Sequence, residues 1–159
     1  MWTYMITCYI MSFLTFILVV TAFFQSFLKF SVFQANHLTF VILTSIVYFF
    51  TETLVIFFFV GLGMGIKEST IDHKLDPRFR RRSIAIKRKV LPTLVLNLLF
   101  MIILFVLVGA VDTHQIPFWA YPIIFLGCIF HFVKSKLIQN QGFKEYTEIV
   151  LEMSGIKKE

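Results

Sequence analysis

Charged residues are scarce in this chain. Only 15% of its 159 residues are Asp, Glu, Lys or Arg, whereas 58% are hydrophobic and 18% are aromatic. A soluble domain typically has about 25% charged and 45–50% apolar residues, because its outer surface must be covered by side chains that water solvates. The composition therefore excludes a water-soluble globule and indicates a protein that lies in a membrane.

Signatures of catalysis and cofactor binding are also lacking. The two cysteines, Cys8 and Cys128, lie within apolar stretches, so they indicate neither a disulfide framework nor a zinc site. Gly61, Gly63 and Gly65 follow an apolar helix instead of a strand, which argues against a dinucleotide-binding loop and favours close packing or a hinge. We find no nucleophile motif and no pair of catalytic carboxylates. The sequence assigns no cofactor and favours a protein that is not an enzyme.

Four apolar runs dominate the chain, at residues 5–28, 38–62, 90–111 and 117–138. Each can cross about 30 Å of hydrocarbon as a helix. Lipid offers no hydrogen-bond partner to the backbone, and the runs lack the period-2 alternation of barrel strands, so helices are favoured. The sequence predicts an all-α membrane protein with a bundle of four transmembrane helices in residues 1–141 and a tail in residues 142–159.

The basic residues are distributed unevenly among the links. Fourteen of the 15 lie between the second and third runs, in the last turns of the fourth run or after it, and only Lys29 lies between the first two. Short cytoplasmic loops carry an excess of Lys and Arg. We therefore predict an integral protein of a bacterial inner or plasma membrane, with both termini and the basic loop 66–89 in the cytoplasm and residues 30–37 and 112–116 outside.

The basic loop has a helix-start signal, Asp76 followed by Pro77. It predicts a basic helix that lies at the lipid headgroups, with three apolar side chains dipping into the acyl boundary, namely Phe79, Ile84 and Ile86. Seven cations are then expected to contact anionic headgroups. These are Arg78, Arg80, Arg81, Arg82, Lys87, Arg88 and Lys89.

The tail is predicted to be a separate short helix that begins after a break at Gly142. Apolar and acidic residues lie on opposite faces of such a helix. The apolar face comprises Phe143, Tyr146, Ile149, Val150 and Met153, and the acidic face comprises Glu145, Glu148 and Glu152. This amphipathic helix either folds back on the bundle or the bilayer surface, or docks onto a partner subunit.

Glu52 is a carboxylate at membrane depth. It lies about 21 Å along the second run from Leu38 at 1.5 Å per residue, and a charge at a helix centre costs about 2.5–3.5 kcal/mol on insertion scales. Such a residue is expected to face protein. Its helical face also carries Val41, Ser45, Tyr48, Phe59 and Gly63.

Polar residues of the other runs reach the same depth as Glu52 by the same counting. We predict a polar intramembrane site in the inner half of the bilayer, made of Glu52, Tyr48, Ser45, Asn97, His131 and Ser12. One interpretation is a functional site for proton transfer, for a quinone or lipid headgroup, or for a cation. The other is that these groups only hold helices together by hydrogen bonds.

Two histidines and an aspartate suggest a second, weaker candidate site at the opposite face of the bilayer. His37, Asp112 and His114 have the ligand types of a small metal site, although any membrane rim has similar residues. His37 and His131 lie at opposite faces of the bilayer, which excludes one haem ligated by both.

Three classes of function remain open. The first is a non-catalytic subunit or oligomeric component of an inner-membrane assembly, formed from copies of the chain or with a larger complex. The second is conduction or transport of protons or small ions through Glu52. The third is an enzyme that acts on a lipid or quinone at the inner leaflet. The basic loop is too short for a nucleic-acid-binding domain.

Overall fold

The computed structural model describes residues 2–28, 30–32, 36–117 and 119–155, without the side chain of Asp112. Lys29, Lys157 and Lys158, counted above among the cations, lie outside the described residues. Four helices make up this part of the chain: α1 (Trp2–Leu28), α2 (His37–Asp72), α3 (Arg78–Asp112) and α4 (Ala120–Met153). Each is long and apolar enough to cross a membrane. The predicted all-α bundle of four transmembrane helices is therefore confirmed, as is an integral membrane protein.

Each helix packs against its neighbours in sequence, and α1 closes the bundle against α4. We call the end with Trp2, Asp72, Arg78 and Met153 the basic end. The opposite end, with Leu28, His37, Asp112 and Ala120, is the link end. Two hydrophobic cores follow from this arrangement, one towards each end. We call them the link-end core and the basic-end core.

Three of the helices are longer than the predicted spans. α2, α3 and α4 have 36, 35 and 34 residues, or about 51–54 Å at 1.5 Å per residue, against about 30 Å of hydrocarbon. The extra turns lie at the basic end. The expected interfacial helix of the basic loop is therefore the first part of α3, and the expected C-terminal helix is the last part of α4.

The first part of α3, which contains most of the basic residues of loop 66–89, packs against the other helices through one buried face. Phe79 and Ile86 are only 5% and 4% exposed, and Ser83 and Val90 continue the same face. Only Ile84, at 44% exposed, points away from the bundle. The prediction that Phe79 and Ile86 dip into the acyl boundary is wrong, because both belong to the basic-end core.

Gly142 does not interrupt α4, contrary to the sequence prediction. A Cβ atom at this position would lie 2.8 Å from Phe59 Cε1 and 2.8 Å from Val90 Cγ2. The neighbouring Phe143 ring stacks on Phe59 with centroids 5.0 Å apart. The absence of a side chain thus lets α4 approach α2 and α3 closely, and packing outweighs the low helix propensity of glycine.

Candidate functional site: a polar layer between two cores

An aromatic layer fixes the relative register of three helices. Phe132 of α4 stacks on Phe16 of α1 with centroids 6.4 Å apart, and its ring lies 5.3 Å from that of Tyr48 of α2. One helical turn from each of these residues towards the basic end brings polar side chains to a common level. These are Ser12 on α1, Glu52 on α2 and the pair Ser135 and Lys136 on α4.

Glu52 is fully buried and is paired within the chain. Its Oε1 atom accepts a hydrogen bond from Asn97 Nδ2 at 3.1 Å and another from Lys136 Nζ at 2.5 Å. The Lys136 ammonium also donates to Gln139 Oε1 at 3.0 Å and lies 4.8 Å from the centroid of the Phe132 ring. The carboxylate is therefore compensated by a cation from α4 and held by an amide from α3.

His131 extends this network towards the bundle surface. Its Nδ1 atom lies 3.0 Å from Asn97 Oδ1. A carboxamide oxygen only accepts, so this contact requires the proton on Nδ1. The half-buried imidazole also packs on Phe100 with centroids 4.8 Å apart. A continuous chain of hydrogen bonds thus runs from His131 through Asn97 to Glu52, across three helices.

The structure places the other predicted site residues differently. The Ser45 hydroxyl is used by its own helix, because it donates to the Val41 carbonyl at 2.8 Å. Tyr48 contributes its buried ring to the aromatic layer. Ser12 faces the interior at the level of Glu52, but its Oγ atom has no hydrogen-bond partner among the described residues. In the same polar layer, Glu52 Oε2 and Ser135 Oγ also have none within the described part of the chain.

Lys136 is the main residue that the sequence reasoning missed, since it was counted only as a cytoplasmic cation. Its side chain is just 17% exposed. A signal for its position exists in the helical spacing, because the buried face of α4 continues through this turn. That face comprises Phe125, Cys128, Phe132, Ser135, Gln139 and Gly142.

A second missed contact joins α1 to α2. The Thr15 and Thr51 hydroxyls lie 2.8 Å apart within the core, and both threonines are fully buried. Each hydroxyl also lies 2.8 Å from a carbonyl oxygen one turn back in its own helix. Since a hydroxyl has one proton, one threonine donates to its own helix and the other donates across the interface. Thr51 precedes Glu52, so this contact holds the α1–α2 interface at the edge of the polar layer.

The cations predicted to contact headgroups fall into two groups. Lys87 folds across Gly63 and donates to the Val60 carbonyl at 3.2 Å, so its ammonium is used within the bundle. Arg82 Nη1 pairs with Glu152 at 2.8 Å. The other predicted cations lie at exposed positions, where contact with lipid stays a prediction. These are Arg78, Arg80, Arg81, Arg88 and Lys89.

At the link end, Tyr121 Oη lies 3.2 Å from Nε2 of His37. His114 is exposed and has a left-handed φ of 58°. Within the described part of the chain, no three metal-binding side chains come together. The Asp112 side chain lies outside the described residues, so the metal site of His37, Asp112 and His114 stays a prediction.

A groove between α2 and α4 opens at the basic end. The rings of Tyr4 and Phe58 lie 6.5 Å apart, so the described part of α1 covers α2 to about the level of Leu62. Beyond that level a cavity of about 470 Å³ lies between α2 and α4. We call it the α2–α4 groove, and its lining includes Gly61, Gly65, Ile66, Ser69, Val150 and Met153.

Comparison with protein-family models, with curated proteins and with solved structures finds no match to this chain.

Proposed function

We propose that this protein is a non-catalytic component of a membrane assembly, in which its polar layer fixes the helix register and its α2–α4 groove receives a second copy of the chain. The pairing of Glu52 with Lys136 inside one chain carries the structural part of this proposal. A carboxylate that already has a buried cation and an amide donor is poorly suited to act as a general base or as a free ion carrier.

The groove supports the association of copies. It continues the surface on which α1 already packs, and Gly61, Gly65 and Ser69 lie four residues apart along it. No atom lies within 4 Å of a Cβ built on Gly61 or Gly65. Small residues at this spacing let two helices approach closely. A small-residue face is also complementary to itself, as a two-fold dimer contact between two α2 helices requires.

Conduction through Glu52 has weaker support. Between the polar layer and the link end, the interior consists mainly of apolar side chains, including Val19, Phe40, Leu104, Val108 and Phe125. Thr44 and Ser45 lie in this half, but each donates to a carbonyl of its own helix. In the described part of the chain, a proton or ion leaving Glu52 would therefore meet a packed and mainly apolar layer before it reached the polar residues near the link end.

The surface charge supports the membrane location and orientation included in the proposal. Exposed arginines of α3, such as Arg80, Arg81 and Arg88, lie at the basic end together with most of the other described cations. We propose that this end faces the cytoplasm of a bacterial inner or plasma membrane, where anionic headgroups attract such side chains.

Cysteine cross-linking in native membranes tests the proposed contact. Gly65→Cys places a thiol in the open groove, and we expect a homobifunctional maleimide to give a covalent dimer. The matched control is Val106→Cys, because Val106 is 62% exposed on the apolar part of α3, away from the groove. Equal cross-linking at both positions, or none at Gly65→Cys, would contradict association through the groove.

A second variant separates association from folding. Gly65→Leu fills the groove without meeting any neighbouring atom at its Cβ, so the monomer should fold normally. We expect native mass spectrometry in mild detergent to show a dimer for the wild type and a monomer for the variant. A wild-type chain that is monomeric in every mild detergent would contradict the proposal.

A flux assay distinguishes the proposed function from conduction. We expect Glu52→Gln in reconstituted vesicles to leave proton and cation flux at the level of the wild type and of empty vesicles. Wild-type flux above that of empty vesicles, abolished by the substitution, would instead establish a Glu52-dependent path.

A further inference from the structure

The Lys136 ammonium lies in a cage with more oxygen atoms than it uses. Glu52 Oε1 and Gln139 Oε1 accept its hydrogen bonds, and the Phe132 ring lies beneath it. A carboxylate, a carboxamide oxygen and an aromatic face together form a typical environment for an ammonium group. The part of the cage around the cation is therefore selective for N–H donors with a positive charge.

Unused polar atoms lie at the same level of the bundle. Glu52 Oε2, Ser12 Oγ and Ser135 Oγ are all buried, and none of them has a hydrogen-bond partner among the residues that the structure describes. Glu52 itself is fully buried, and Ser135 is also 0% exposed. Leaving such groups unpaired is unfavourable in a protein interior. One of these atoms belongs to the carboxylate that binds the ammonium, and the two hydroxyls lie at the same level of the bundle by helical spacing.

The cation that fills the cage is held by a flexible tether. Glu52 is 0% exposed, but the Lys136 side chain is 17% exposed and so reaches the bundle surface. Lys134, two residues away, is exposed. Lysine places its four-carbon stem along apolar surface and its ammonium in water where it can. Lys136 can accordingly turn outwards without movement of the α4 backbone.

We propose that Glu52, Gln139, Phe132, Ser12 and Ser135 form a binding site for a primary ammonium group, which the chain fills with its own Lys136. A free primary amine or the ammonium of a lipid headgroup binds there when Lys136 is turned outwards or removed. This site is a property of the single bundle and does not depend on the association of copies.

Chemical rescue tests the site. Lys136→Ala, purified in nanodiscs of phosphatidylcholine, should have a lower midpoint of thermal unfolding than the wild type. Methylammonium chloride should then raise that midpoint saturably by about 2–4 °C. Tetramethylammonium is the matched control, because it has the same charge but no N–H donor. We expect no shift with tetramethylammonium beyond that of the wild type.

Two further variants keep the test decisive. Lys136→Met retains apolar packing on Phe132 and serves if Lys136→Ala does not fold. Lys136→Ala/Glu52→Gln removes the carboxylate and should lose the methylammonium shift. An equal shift with tetramethylammonium, a shift preserved in the double variant, or no shift in either single variant would overturn the proposal.

A third arm identifies the source of the ammonium. If a lipid headgroup enters the site, replacing phosphatidylcholine by phosphatidylethanolamine should stabilise Lys136→Ala without added methylammonium, and should not stabilise Lys136→Ala/Glu52→Gln. If only soluble amines enter, the lipid exchange should leave the midpoint unchanged while methylammonium still raises it. Both results support the ammonium site and differ only in the ligand's source.

Discussion

The two halves of the bundle use polar side chains differently. In the link-end half, Thr44 and Ser45 each donate to a carbonyl of their own helix. In the basic-end half, polar groups bond across helices, as in the contacts of Glu52 with Lys136 and of Tyr146 with Ser83. Apart from the Tyr121–His37 contact, the link-end half associates mainly by the packing of apolar side chains. The basic-end half is additionally held by several polar contacts between helices.

This difference has a physical consequence for helix register. A hydroxyl that bonds its own helix is satisfied whatever the neighbouring helix does, so it does not discriminate between alternative packings. A contact such as Asn97 with Glu52 is satisfied only in one register, since a shifted helix would leave a buried acid unpaired. We infer that the basic-end half specifies the arrangement of the bundle.

The largest effect is expected from breaking the buried ion pair. Lys136→Met or Glu52→Gln alone should lower the free energy of unfolding by about 3–5 kcal/mol, because one charged group is left without its partner. Denaturant titration of the purified protein in mixed micelles measures this change. In the double variant Glu52→Gln/Lys136→Met neither charge remains, and we expect most of the loss to be recovered. Additive losses in the double variant would show that the two side chains do not interact.

A smaller effect is expected from two glycines of α4, one in each half. Gly142→Ala should lower the free energy of unfolding by about 1–3 kcal/mol, because the new methyl group meets Phe59 and Val90. Gly127 has no atom within 4 Å of a built Cβ, so Gly127→Ala should be neutral or slightly stabilising through helix propensity. Thermal unfolding of both variants compares the halves directly, and equal destabilisation would contradict the close approach at Gly142.

The smallest effect is expected from single neutral hydroxyls. Tyr146 Oη lies 3.2 Å from Ser83 Oγ and 3.2 Å from the Ser83 carbonyl oxygen. Tyr146→Phe should therefore lower the free energy of unfolding by about 1 kcal/mol. Ser45→Ala removes only an intrahelical bond and should change it by less than about 0.5 kcal/mol. The same denaturant titration measures both, and a larger loss for Ser45→Ala would remove the distinction between the two halves.

The fold was largely predictable because hydrophobic length determines it. Four apolar runs of about twenty residues allow few structures other than four spanning helices. The helix ends were not predictable from hydropathy. α2, α3 and α4 continue beyond the apolar runs because one face of each extension packs against the bundle. Phe79, Ser83, Ile86 and Val90 form such a face among basic residues, where mean hydropathy is low.

The polar layer was predictable only in part. Glu52, Asn97 and His131 were found by counting depth along each run, because a polar residue at membrane depth is conspicuous. Lys136 lies four residues beyond Phe132, near the end of the fourth run, where a lysine is ordinary. Its role follows from the side of α4 that it occupies, and depth counting carries no information about that. The continuity of α4 through Gly142 was also not predictable from the sequence. The low helix propensity of glycine favours a break, whereas the close packing that glycine allows favours a continuous helix.

The length of the helices makes the polar layer sensitive to the membrane around it. Helices of about 51–54 Å can shift or tilt along the normal while remaining inserted, so their ends do not fix where water begins. We expect that boundary near the partly exposed Lys136 side chain, which lies in the last turns of the fourth apolar run. A thinner bilayer would bring water to Lys136 and weaken its attraction to Glu52, whereas a thicker one would strengthen it. We therefore expect the stability of the four-helix bundle to depend on the match between helix length and bilayer thickness.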